Sequence, residues 1–263
     1  MSDRRFARAA RGVAHVGVGG SVAGVWHRIG APLADLWAAP GGPLDRQLLA
    51  GTRFCVIVEE GGFSYGFDAD DGYCGWVAEA ALRPDAPVTH WVASAGTHAY
   101  AAPDIKHPGA VPLPMGARLA VTGAEGRFAR TDLGFVPAAH LRALGDWLED
   151  PVAVARGFLG VPYLWGGNSR QGIDCSGMVQ VARRACGLPC PPDGDLQSAM
   201  PGIDVPEGHE RAGDLVFWKG HVAMVTGPGR VIHANATHMA VTEEDLAAVA
   251  ARAVGPVIRR LRA

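Results

Sequence analysis

Three residue types in this chain could together perform acyl chemistry: a cysteine at the start of a helical pattern and two histidines on a downstream β-hairpin. Cys175 lies in Asp174-Cys175-Ser176-Gly177. After it, Met178, Val179, Ala182, Ala185 and Cys186 recur at the spacing of one buried helix face, and Gly187 supplies the stop. Asp174 stands where an N-cap belongs, so Cys175 is expected in the first turn. The unpaired N–H groups and positive dipole end there favour a thiolate, and a neighbouring imidazolium favours it further. A thiolate at neutral pH is an effective acyl-transfer nucleophile.

The imidazoles come from two strands. Gly213–Trp218 reads as one strand, His221–Val225 as the next and Val231–Ala234 as a third, with Gly227-Pro228-Gly229 turning between the last two. A hairpin centred on Pro228 sets Ala223 opposite His233 and His221 opposite Asn235. Alternate residues return to one face, so His221 and His233 become diagonal neighbours on the same side, an arrangement that a one-residue slip would break. One ring would serve as base and acid for Cys175, and the other would orient it through a ring N–H. The same three side chains could instead ligate zinc, but with no carboxylate nearby that is the weaker reading. His15, His27, His90, His98, His107, His140, His209 and His238 are taken as incidental, and Tyr163 and Trp165 by default as core aromatics.

These residues need a scaffold, and composition suggests its kind. Across 263 residues, 36 Gly and 19 Pro are scattered without period, which suits short strands joined by tight turns. The formal net charge of −2 carries no basic run of the kind that binds nucleic acid or anionic membranes. No stretch approaches the ~18 consecutive apolar residues of a membrane span. Arg4, Arg5, Arg8 and Arg11 resemble the basic start of a signal peptide, but Gly12–Gly24 offers no leucine-rich core behind them. The expectation is therefore no export signal and a reducing, cytoplasmic setting. Five cysteines with no C-x-x-C pair fit that setting. Cys55 and Cys74 could pair across a small β domain, but buried free thiols are expected.

A theme occurs twice ahead of the cysteine. Ala34–Pro40, Gln47–Thr52, a strand Phe54–Glu59 and Cys74-Gly75-Trp76-Val77 are answered by His98–Asp104, Pro114–Ala117, a strand Arg118–Thr122 and Leu133-Gly134-Phe135-Val136. Each unit spans about sixty residues of short strands, the pattern of a small β-barrel. Asp150-Pro151 then opens a capped helix through Val152, Ala155 and Phe158 to Gly160. The division read from the sequence is an N-terminal extension over 1–28, barrels over 29–86 and 87–145, and a third domain over 146–263.

The repeated units resemble bacterial SH3 domains. Tyr163-x-Trp165-Gly166-Gly167, Asp174-Cys175-Ser176-Gly177, Gly220-His221-Val222 and Ile232-His233-Ala234 resemble the NlpC family of bacterial cell-wall cysteine peptidases. That resemblance implies an α+β fold: two small SH3-like barrels followed by a papain-like, NlpC-type domain. With paired SH3-like units, the chain is similar to γ-D-glutamyl-diamino-acid endopeptidases, which implies cleavage between D-Glu and meso-diaminopimelate or L-Lys in stem peptides with a free N-terminal L-Ala. It implies further that Cys175 is the nucleophile, His221 the base and His233 the orienting member. Tyr163 and Trp165 would wall the cleft, Asp174 and Ser176 would bind the D-Glu portion, and Asp193 would take the L-Ala ammonium. Tyr73 would close that pocket. Where the family carries Arg and Ser beside that Asp, this chain has Pro192 and Gly194. No metal or cofactor is implied, and the partner is a small murein peptide, with no nucleic acid or membrane. An exported wall-remodelling peptidase, a non-catalytic wall-binding protein and an acyl transferase remain alternatives.

Overall fold

The fold is taken from a computed structural model that describes residues 3–6, 9–10, 13–15 and 21–263. Arg8, Arg11 and residues 16–20, on which part of the export-signal reading falls, lie outside the described residues. The chain divides into two compact units, 1–144 and 145–263.

In the first unit, one sheet of seven strands forms the first barrel. Its spatial order is Leu82–Pro84, Val25–Ile29, Arg53–Glu60, Phe63–Asp68, Cys74–Ala78, Leu33–Trp37 and Leu44–Leu49. The sheet takes in Val25–Ile29, so it starts four residues ahead of the boundary drawn from the sequence. Alternation along the strands sends Ile29, Ala34, Leu36, Leu48, Phe54 and Val77 into one core. Cys55 and Cys74 are buried free thiols packed with Phe67 in a side cluster.

The second barrel repeats this logic with shorter strands, from His90–Val92 to Leu141–Ala143. The internal repeat is legible in detail. Single 3₁₀ turns at Glu79–Ala81 and Ala138–His140 each follow a closing strand and lead into a final short one, Leu82–Pro84 and Leu141–Ala143. The two barrels of this unit are joined through Ala50, which lies in the second barrel's core and whose carbonyl accepts from the Arg118 amide at 2.8 Å. Two ion pairs add to the seam, Arg28 to Asp132 at 2.7 Å and Arg118 to Asp70 at 2.8 Å.

The second unit is α+β. Its six-stranded antiparallel sheet has the order Ile203–Asp204, Arg259–Arg262, Leu215–Trp218, His221–Gly227, Arg230–Asn235 and Ala240–Asp245. The helix Pro151–Arg156 starts as expected, with Asp150 accepting from the Val152 and Ala153 amides. It ends at Arg156, short of Gly160, because Gly157 closes the last turn and the chain then reverses. Val152, Ala155 and Phe158 are buried all the same.

The helix Cys175–Ala185 carries the predicted stripe: Met178, Val179 and Ala182 are fully buried. It stops in a Schellman arrangement. Gly187 takes a left-handed φ of 71°, its amide reaches Arg184 and that of Leu188 reaches Arg183. Gly177 is needed for another reason. A Cβ there would lie 2.6 Å from the carbonyl oxygen of Gly167, so the first turn rests directly on the loop backbone. Replacing Gly177 by Ala is expected to cost about 2 kcal/mol of unfolding free energy, through forced separation of helix and loop. Chemical denaturation checks this, and an unshifted midpoint would refute the close-packing argument.

Candidate active site

Asp174 assembles the nucleophile's surroundings. One carboxylate oxygen accepts from the Gly177 amide at 2.7 Å and from the Ser176 hydroxyl at 3.2 Å; the other accepts from the Gly166 amide at 2.8 Å. It is thus the helix N-cap and also the tether of the Tyr163–Gly167 loop. Gln197 fastens the neighbouring segment, donating to the carbonyls of Ser176 and Pro191 at 2.9 Å each. Asp193 precedes the short helix Gly194–Ser198. Burial raises the Asp174 pKa, donors from Gly177, Gly166 and Ser176 oppose the rise, and the nearby charge of Asp193 adds to it.

Cys175 is partly buried at the head of its helix. The thiolate expectation is corrected here. Burial, with the Asp174 carboxylate beside it, pushes the Cys175 thiol up to about 12. The amides of Val222, Ser176 and Cys175 itself do favour the anion, as a helix N-terminus should, but they are outweighed. Val222 follows His221 directly, so its amide ties the sulfur to the histidine-bearing strand. Tyr163 lies near the sulfur too: burial and the proximity of Cys175 and Asp174 hold its phenol up at about 12, protonated and able to donate. Its amide donates to the Met239 carbonyl at 2.9 Å, and Met239 is the one non-glycine among the described residues with positive φ, at 50°. Trp165 presents 67% of its surface to solvent, beside exposed Leu164, so neither is a core residue.

The histidines meet as the register requires. Met224 pairs with Ile232 and Val225 with Val231, the pairing that sets Ala223 against His233. Lys219-Gly220 forms the preceding turn, Gly220 taking the positive φ of 72° that lets Trp218 pair with His221. His221 Nε2 lies 2.6 Å from His233 Nδ1. Burial and the neighbouring His233 ring lower the His221 pKa to about 4, and burial lowers that of His233. Both shifts favour the uncharged forms, a thiol and a neutral imidazole.

Residues that sequence reasoning passed over complete the row. His233 Nε2 lies 2.9 Å from Glu244 Oε1, and the same oxygen accepts from Arg252 at 2.5 Å and Thr242 at 3.1 Å. Burial works against the charge on Glu244, but these donors prevail and hold its pKa at about 2. His238, taken as incidental, stands 3.4 Å from Glu244 and 3.0 Å from Asn235 Oδ1. The signal available was strand pairing: His233 faces Thr242 across the next strand, which brings Glu244 to the diagonal position. Tyr73 lies in the other unit, buried in the first barrel with Phe6 edge-on to its ring and the Arg46 guanidinium 5.6 Å above it. Among the described residues no group of three His, Cys, Asp or Glu is arranged to hold a metal ion.

The scaffold agrees with comparisons to known proteins. Residues 160–255 match the NlpC/P60 family, and residues 36–82 match the bacterial dipeptidyl-peptidase Sh3 domain. The chain thus carries an NlpC/P60 domain behind an SH3 domain of the bacterial dipeptidyl-peptidase kind. It is 35% identical over 130 residues to a γ-D-glutamyl-L-lysine dipeptidyl-peptidase of Bacillus cereus, covering 46% of this chain and 36% of that one. It is 40% identical over 97 residues to a protein of the same name from Bacillus subtilis, covering 34% and 32%. The matches span about a third of the length of these curated relatives. The crystal structure of an NlpC/P60 family protein from Bacillus cereus has the same fold, with a TM-score of 0.77 at 23% identity, covering 90% of this chain and 99% of that one.

The depressed pKa of His221 has a consequence for stability. The folded ring stays neutral down to about 4, whereas the unfolded ring takes up a proton near its ordinary value of 6.5. Its contribution is therefore complete above pH 6.5 and is lost as the pH falls towards 4. The expected loss is about 3 kcal/mol across that window. His221→Gln, which cannot titrate, should lose that much less unfolding free energy than wild type between pH 7 and pH 4. Parallel losses in urea titrations would refute the assignment.

Proposed function

We propose that the protein is a cysteine endopeptidase that hydrolyses the γ-D-Glu–diamino-acid bond of murein stem peptides bearing a free N-terminal L-Ala. The observation that carries this reading is the row Cys175, His221 and His233: the rings meet at 2.6 Å, and the Val222 amide beside His221 bonds the sulfur at the helix head. The names of the related dipeptidyl-peptidases support the substrate class.

In this reading Cys175 Sγ attacks the amide carbonyl while its proton passes to His221. The protonated ring then delivers that proton to the departing amine of the diamino acid, leaving a thioester on sulfur. Water, deprotonated by the same ring, hydrolyses the thioester and restores the thiol. The amides at the helix head and the protonated Tyr163 phenol are the donors available to the developing oxyanion. Trp165 and Tyr163 flank the cleft, and Asp174 and Ser176 lie towards the D-Glu portion. Asp193 receives the ammonium of L-Ala. Pairing of that ammonium with Asp193 favours substrates that carry it over those that lack it. Such selectivity suits recycling of small free peptides in the cytoplasm rather than attack on the polymer.

The test is mass spectrometry of products from L-Ala-γ-D-Glu-meso-diaminopimelate and its N-acetylated form. Release of L-Ala-γ-D-Glu and free diaminopimelate is expected, with kcat/KM at least about 100-fold lower for the acetylated peptide. Cys175→Ala should abolish both reactions. Equal cleavage of the two peptides would remove the ammonium argument, and activity surviving in the variant would remove the nucleophile.

A further inference from the structure

Beyond the Cys175–His221–His233 row stand a carboxylate and an arginine, Glu244 and Arg252. Glu244 is the penultimate residue of the strand Ala240–Asp245, and Arg252 ends the helix Leu246–Arg252 that follows it. Their 2.5 Å contact, with Thr242 at 3.1 Å, surrounds Glu244 Oε1 with donors. His238 Nδ1 stands 3.4 Å away. The remaining neighbour is His233, whose ring is 1% exposed and has no solvent to satisfy either nitrogen.

We propose that Glu244 is a positioning residue that dictates, through His233, which nitrogen of His221 carries the proton. The protons along the row set this order, and its consequence for turnover rests on the hydrolase reading. An ionised carboxylate only accepts, so His233 must place its proton on Nε2, facing Glu244 at 2.9 Å. In neutral His233 that leaves Nδ1 as a lone pair. The ring nitrogen 2.6 Å from it, His221 Nε2, must therefore donate. Neutral His221 then has one lone pair left, on Nδ1, and that is the nitrogen able to take the proton of Cys175. Arg252 keeps Glu244 charged and so keeps the order of donors fixed.

A neutral amide in place of the carboxylate can donate as well as accept. In Glu244→Gln, His233 can hold its proton on Nδ1, which turns His221 to the Nδ1–H form and removes the base. Nitrogen NMR of the histidine rings in the full-length, ¹⁵N-labelled protein reads this directly, with His221→Gln identifying the signals. Wild type at pH 8 should show His221 protonated on Nε2, and E244Q should shift His221 towards the Nδ1-protonated form. Turnover of the free stem tripeptide should fall about ten- to hundredfold in kcat with KM little changed, and Glu244→Asp should recover part of it. His221 protonated on Nδ1 in wild type, or an unchanged His221 tautomer in E244Q whatever happens to turnover, overturns the proposal. Should the tautomers behave as stated while wild type cleaves no stem peptide, the assigned substrate fails and the proton order stands.

Discussion

The contact between His221 and His233 depends on more of this domain than any other interaction. Two imidazoles 2.6 Å apart need a hairpin whose register is correct to the residue, since a slip by one would send a ring to the opposite face. The register rests on two turns that each use a left-handed glycine, Gly220 and Gly229. It is reinforced by the buried strand pairs between Leu215–Trp218, His221–Gly227 and Arg230–Asn235. Cys175 is held by separate machinery. Asp174 closes the helix head, holds the adjoining loop by its Gly166 amide and lets Gly177 sit against Gly167. A cap, a tether and a steric gap thus converge on one sulfur.

Electrostatics within the site favour proton transfer over a standing ion pair. Helix-terminal amides do point at Cys175, but burial and the Asp174 carboxylate dominate, and the thiol is raised while His221 is lowered. Both shifts favour the neutral forms, and in a neutral His221 the tautomer decides which ring nitrogen can accept a proton. This is where Glu244 and Arg252 acquire importance: Glu244 reaches His221 through one intervening ring, that of His233.

Much of this was legible in the sequence, and the limits have physical causes. The helix from Cys175, its buried stripe and its glycine stop follow from local spacing, and the histidine pairing follows from hairpin arithmetic. The doubled barrels were legible because their closing strands and 3₁₀ turns recur with the same small residues. Three features were not. Glu244 and Arg252 join the site only through pairing with a further strand and the helix beyond it, which no local pattern announces. The thiol's protonation is set by desolvation, a property of three-dimensional packing to which a motif is blind. The strand Val25–Ile29 was missed because its partners, Arg53–Glu60 and Leu82–Pro84, lie far along the chain.

The central claim is that Cys175 is the acyl-transfer nucleophile, and site-directed covalent capture tests it most directly. The full-length protein would be treated with an L-Ala-γ-D-glutamyl diazomethyl ketone, its stoichiometry read by intact mass and its position by peptide mapping. The account expects one equivalent, on Cys175, with loss of peptide turnover in proportion to labelling. Labelling spread over Cys186 as well as Cys175, or full turnover in protein whose Cys175 is completely modified, would contradict it.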